Sequence, residues 1–157
     1  NKKDYIFVSK NFFDNMIKKG MFLEYATVFG NRYGTLRDPI VKKLKKGKDI
    51  LFDIDWQGTQ ELKEQETKHL VSVFILPPST KELEKRLLKR ALDSKEVVKK
   101  RMAEAVSEMT HWAEYDYVII NDDLDKTLEK LRAILVSERL KRERQTGLNS
   151  FVRKVIF

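Results

Sequence analysis

An α/β fold built on a parallel sheet is what this sequence predicts, and three observations predict it. Strand-like and helix-like segments alternate from residue 49 onward in a βαβ rhythm. "LVSVFILPPS" (70–79) and "YDYVIIN" (115–121) are nearly continuous apolar runs, as strands covered on both faces require. Residues 1–45 read as a separate, partly β subdomain, and 80–112 as a helix pair inserted between two core strands.

"DYIFVS" (4–9) reads as a strand with Tyr5 and Phe7 on one face. "KNFFDNMIKKG" (10–20) predicts a short helix ended by Gly20, and "MFLEYATVFG" (21–30) a strand with a glycine stop. "RDPIVKKLKKG" (37–47) predicts a helix with Asp38 as N-cap, Pro39 in the first helical position and Gly47 beyond its end. "DILFDID" (49–55) reads as a strand and "TQELKEQE" (59–66) as a helix. Pro77 and Pro78 close the next strand, because proline cannot donate to a ladder. Helices near 80–92 and 94–112 follow, then one from 125 to about 144, apolar at Leu128, Leu131, Ile134 and Leu135. Residues 144–157 carry no motif.

The 157 residues suffice for a core of ordinary size, and 41% hydrophobic with 36% charged residues argues against disorder. The chain has no cysteine, which excludes disulfides, thiolate zinc sites and cysteine nucleophiles. No apolar run approaches the ~18 residues of a membrane span, so no membrane partner is expected, and a reducing, cytoplasmic setting is. The chain starts at Asn1 and not at methionine, which leaves room for residues upstream. A net charge of +8 points to anionic partners. The lysines cluster on helices, as in "VKKLKKGK" (41–48), without interleaved aromatics, so solvated helix faces are expected and a nucleic-acid groove is not.

Asp53 and Asp55 flank Ile54 in an apolar run, so period-two alternation puts both acids on one strand face. A carboxylate buried without a partner costs several kcal/mol or becomes neutral, roughly as burial of any unpaired charge does. Asn121, followed by Asp122 and Asp123, ends another strand, and ligands of open α/β sheets bind at such strand ends. Acidic caps on the following helices would give the same pattern.

On a helical wheel Val97, Met102, Ala105, Met109 and Trp112 share one sector, and Arg101 falls inside it. Arg90 sits at the edge of the face formed by Leu83, Leu87, Leu88 and Ala91. Arginine cannot neutralise itself by losing a proton, so each needs an anion. A salt bridge to a nearby acid is the ordinary partner; two arginines on adjacent helices also fit a shared phosphate held by forked donors.

The blocks "DYIFVS", "FLEYATVFGNRYGT", "ILFDIDWQGTQ", "VFILPPS", "KRALDSKEVVKKRM" and "AEYDYVIINDDLD" occur in an order and spacing that resemble guanylate kinases, the bacterial enzymes most closely. They cover residues 4 to about 143. The resemblance implies a P-loop-kinase-like parallel core flanked by helices, in a single domain over 1–157. Within it, 1–45 would be a small mixed GMP-binding subdomain, 46–79 and 113–157 the core, and 80–112 a helical lid. It also implies transfer of the γ-phosphoryl group of ATP to GMP, giving GDP and ADP, with Mg²⁺ carried by the nucleotide and no metal site of the protein's own.

By that resemblance Glu24 accepts hydrogen bonds from the guanine edge, with Thr35 beside it after Gly34, and Tyr5 and Tyr33 donate hydroxyls to the GMP phosphate. Ordinary aromatic packing would account for the two tyrosines equally well. Asp53 faces the GMP site. Asp55 lies between the nucleotides, orienting water, Mg²⁺ or an arginine. Arg90 and Arg101 neutralise charge on the transferring phosphoryl as the lid closes, and Asn121 lies near the ATP base. A monomer or homodimer is expected.

The chain departs from the family at one point. None of its six glycines begins the phosphate loop G-x-x-x-x-G-K-[ST], and the S-x-x-T-R-x-x-R stretch is also missing. Both belong upstream of Asn1, so residues 1–157 alone are expected to have little kinase activity. The alternative class is a non-catalytic guanylate-kinase-like module that binds phosphorylated proteins; the pair Arg90 and Arg101 favours the enzyme.

Overall fold

The computed structural model describes residues 5–28, 30–66, 69–90 and 95–157. Two compact units divide the chain, Asn1–Leu70 and Val71–Phe157.

In the first unit helix α1 (Lys10–Lys18) starts where Ser9 Oγ accepts from the Phe12 N–H at 3.3 Å. It ends before Gly20, whose φ of +61° is the left-handed conformation that the sequence anticipates there. Strands β1 (Phe22–Val28) and β2 (Asn31–Leu36) form an antiparallel pair, and Phe13, Met16 and Phe22 pack into the core between them and α1. Arg32 clamps β2 to α1: its guanidinium meets Asp14 Oδ1 at 2.5 Å and lies 4.7 Å from the Phe13 ring centre. Helix α2 (Arg37–Leu44) begins two residues earlier than expected. Leu36 takes the cap position and Asp38 sits within the first turn, where its charge still favours the helix end. Helix α3 (Trp56–Glu66) packs on β1.

Two expected strands do not form among the described residues. Residues 5–9 and 48–55 have no regular secondary structure, and Leu51 is 96% exposed with Ile6 at 81%. Alternation supplies only half of a strand; the other half is a paired neighbouring strand, and neither segment enters a ladder among the described residues. Asp4, the first residue of the earlier segment, lies outside the described residues.

In the second unit β3 (Val73–Leu76) and β4 (Tyr117–Ile120) pair in parallel, as the sequence anticipates. Asp116 sets their register: its Oδ2 accepts from both the N–H and the hydroxyl of Ser72 at 2.7 Å. The expectation of burial on both faces fails. Ile119 is buried, whereas its neighbours Val118 and Ile120 are exposed, and so is Ile75, its partner across the ladder, so burial is confined to one position of the pair. Helices α4 (Thr80–Arg90) and α5 (Lys95–Met109) follow β3 and pack on each other; Ala91 lies outside the described residues. The buried residue of α5 is Val98, with Met102, Ala105 and Met109 half-buried on its side of the helix. Val97 and Trp112 are exposed, so the apolar face is rotated by about one residue from the wheel.

Helix α6 (Leu124–Leu140) leads to a short 3₁₀ turn and helix α7 (Leu148–Ile156). Glu138, only 4% exposed, joins α6 to β4 and to that turn. Its Oε1 accepts from the Tyr117 hydroxyl at 2.6 Å and from Lys141 Nζ at 2.8 Å, and Arg144 Nη2 lies 3.2 Å from Oε2. These contacts, the Lys141 bond first, hold the Glu138 carboxyl below its ordinary value.

Candidate functional site

The centre of the first unit's site is a buried acid. β1 carries Glu24 opposite Thr35 of β2, and Thr35 Oγ1 donates to Glu24 Oε1 at 2.5 Å. Phe22, Leu23 and Glu24 are buried consecutively, where simple alternation would expose the middle one. A register irregularity between Phe22 and Glu24 explains this, since a bulge re-aims the side chains beside it. Glu24 is 4% exposed, and burial pushes its carboxyl above the ordinary value. The Thr35 bond works against that rise, and the negative charges of Glu61 and Asp55 add to it.

One face of α3 forms the wall behind Glu24. Asp55 caps the helix, with Oδ1 accepting from the Gly58 N–H at 3.0 Å. Gly58 leaves the space that Glu24 occupies: a Cβ there would stand 2.8 Å from Glu24 Oε2. One turn on, Glu61 Oε2 accepts from the Tyr25 N–H at 2.7 Å. Arg37, following β2, donates to Gln65 of the same helix.

Tyr5 and Tyr33 come together with ring centres 6.0 Å apart at 66°, both exposed. Gly34 is required by packing, because a Cβ would stand 2.8 Å from two atoms of the Phe22 ring. The first unit therefore gathers Tyr5, Tyr33, Gly34, Thr35, Glu24 and Asp55, with Asp53 exposed on the segment before the cap.

The second unit holds the other three expected residues. Arg90 ends α4, and its side chain lies outside the description. Arg101 is half-buried on α5. Asn121 follows β4, where its N–H donates to the Leu76 carbonyl at 2.8 Å and its Oδ1 accepts from the Thr127 hydroxyl at 3.2 Å. Asp123 behind it caps α6 by accepting from the Lys126 N–H at 2.9 Å. In both acidic clusters, then, the acid next to the helix is its cap.

Sequence reasoning missed three residues here. The sequence reading places Glu61 only within a helix over 59–66 and leaves Gly58 just before it. A helix spacing of three places them on the Asp55 face, and that signal was available. Arg86 on α4 donates from Nη2 to the Asn121 carbonyl at 3.1 Å and from Nε to Glu82 at 3.0 Å. Nothing local in the sequence announces that link across 35 positions.

The guanylate kinase family model matches residues 1–138. Guanylate kinase of Paramagnetospirillum magneticum is 58% identical over 150 residues, covering 96% of this chain and 70% of the relative. That of Bradyrhizobium diazoefficiens is 57% identical over 151 residues, covering 96% and 69%. The crystal structure of guanylate kinase from Anaplasma phagocytophilum superposes with a TM-score of 0.83 at 36% identity, over 98% of this chain and 75% of that one. Fold and likeness together define an α/β nucleotide kinase. Within that class the chain belongs to the guanylate kinase family. Among the described residues, no helix is long and apolar enough to cross a membrane.

Proposed function

We propose that this chain works in the transfer of the γ-phosphoryl group from ATP to GMP, giving GDP and ADP, and that the Glu24–Thr35 pair selects the guanine base. The single observation behind this is a buried carboxylate fixed from one side by a hydroxyl. Guanine offers two N–H donors side by side, N1–H and the 2-amino group, where adenine has an acceptor N1 and no 2-amino group, and a carboxylate oxygen already bonded to Thr35 keeps a second lone pair for one of them. Tyr5 and Tyr33 supply hydroxyls for the GMP phosphate, and Asp53 faces GMP. Arg90 and Arg101 stabilise charge on the phosphoryl group through forked donors. Asn121 lies by the ATP base.

ATP brings a divalent ion, by our proposal Mg²⁺, which neutralises charge on the phosphates. Asp55 offers the hard oxygen that such an ion takes, and because its Oδ1 already accepts the Gly58 N–H it would act through water. Residues 1–45 serve GMP, 80–112 form the lid and the remainder the core of one domain, in a cytoplasmic monomer or homodimer.

The test is equilibrium binding of GMP and AMP to the chain, followed by GDP formation after fusion to a segment supplying G-x-x-x-x-G-K-[ST]. GMP should bind at least about tenfold more tightly than AMP, a step of about 1.4 kcal/mol. Equal affinities would reject the assignment.

A further inference from the structure

We propose that Glu61 is a positioning residue for Glu24: anchored on the Tyr25 N–H, it holds the stretch of β1 that presents Glu24 to the guanine edge. The inference rests on the assignment of Glu24 to the base and concerns how that acid is aimed.

Three elements restrain Glu24, each differently. Thr35 on β2 bonds its side chain at 2.5 Å. Gly58 on α3 admits that side chain where any larger residue would displace it, since a Cβ there would stand 2.8 Å from Oε2. Glu61 acts on the backbone. Its Oε2 accepts from the N–H of Tyr25, the residue after Glu24, at 2.7 Å. This is a charge-assisted bond at the short end of the N–H···O range. It fixes the peptide group from which the Glu24 side chain departs, on the strand where the bulge has already broken the regular register. Removing it frees that peptide without touching Glu24 itself.

Stability alone does not explain the choice of residue. Glu61 brings a second negative charge to a buried carboxylate and, with Asp55, pushes the Glu24 carboxyl up. A glutamine would accept the same N–H without that repulsion. The repulsion is tolerable where the ligand supplies two donors to the buried acid, which is how a purine with adjacent N–H groups would meet it.

The experiment compares GMP with inosine 5′-monophosphate, which lacks the 2-amino group, in equilibrium binding to the chain. The wild-type chain should prefer GMP by about tenfold or more, the range for one hydrogen bond to a charged group. Glu61→Ala should reduce that preference to about twofold or less. Glu61→Gln, which keeps an acceptor for the Tyr25 N–H, should restore it. A contact that only stabilised the fold would weaken both ligands together and leave the ratio unchanged. If Glu61→Ala does not fold, Glu61→Met keeps volume and helix propensity without the acceptor, and its ratio decides. A wild-type ratio in the acceptor-free variant overturns the inference, as does equal loss in Glu61→Gln. If the wild-type chain shows no preference for GMP, the assignment of Glu24 fails and the inference falls with it.

Discussion

Thr35 Oγ1 and Glu24 Oε1 meet at 2.5 Å across the antiparallel pair of β1 and β2, joining a hydroxyl and a carboxylate 11 positions apart. The hydroxyl can donate only once, so the bond sets which way Glu24 turns its remaining lone pairs.

Replacing Thr35 by valine keeps the shape and removes the donor. The Glu24 carboxylate then loses a charge-assisted bond while buried, a change of about 1.5–3 kcal/mol. GMP affinity should fall by about tenfold or more and the melting temperature by several degrees, roughly 2–4 °C for each kcal/mol lost, as titration calorimetry alongside a melting curve would show. Undiminished GMP binding would remove Thr35 from the base site.

Glu24 also predicts an unusual pH response. Its folded carboxyl lies above the ordinary 4.5, so its contribution to stability is full below that value and is lost as pH rises through the raised value. Glu24→Gln should therefore melt higher than wild type at pH 7 and no higher at pH 4, while binding GMP more weakly. Melting curves at the two pH values check this, and a variant that is less stable at pH 7 would contradict it.

In the second unit Glu138 predicts the opposite. Its folded carboxyl lies below the ordinary 4.5, so the stability it contributes is present above that value and is lost as pH falls through the lowered one. Glu138→Gln should cost about 1–3 kcal/mol near neutrality, because the Lys141 hydrogen bond and the Arg144 ion pair lose their charged partner. The cost should vanish in acid, as denaturant titrations at pH 7 and pH 3 would show.

Arg101→Ala should leave the fold intact and lower kcat by about a thousandfold, the scale of an arginine that neutralises a transferring phosphoryl group. The measurement needs the chain fused to a phosphate loop. Near wild-type turnover would reject the assigned role.

The Glu24–Thr35 pair was reached through the resemblance alone: the sequence reading assigns no strand to 31–36, although "FLEYATVFGNRYGT" carries both residues within a hairpin's length. The parallel β3–β4 pair was legible from its apolar runs. Alternation misplaced Asp53 and Asp55: it describes a chain already in a sheet, and 48–55 is not in one among the described residues. The acid that looked like a cost on a strand is the cap of α3. Glu61 was legible as a residue on the Asp55 face of α3, but its contact was not. Its partner is a backbone N–H 36 positions away, and a backbone donor leaves no mark in a sequence. Glu138 was hidden likewise, its partner Tyr117 lying 21 positions back.

The Asp55 cap couples two things that are usually separate. Opening the first turn of α3 releases the Gly58 N–H and displaces the wall behind Glu24 in one movement, with Glu61 borne on the same helix. The amides of Gly58, Thr59 and Tyr25 should therefore exchange with solvent hydrogen at one common opening free energy, as a single cooperative unit, and GMP should slow all three by the same factor. Common exchange would make the recognition of a base and the persistence of one helical turn a single equilibrium in this chain.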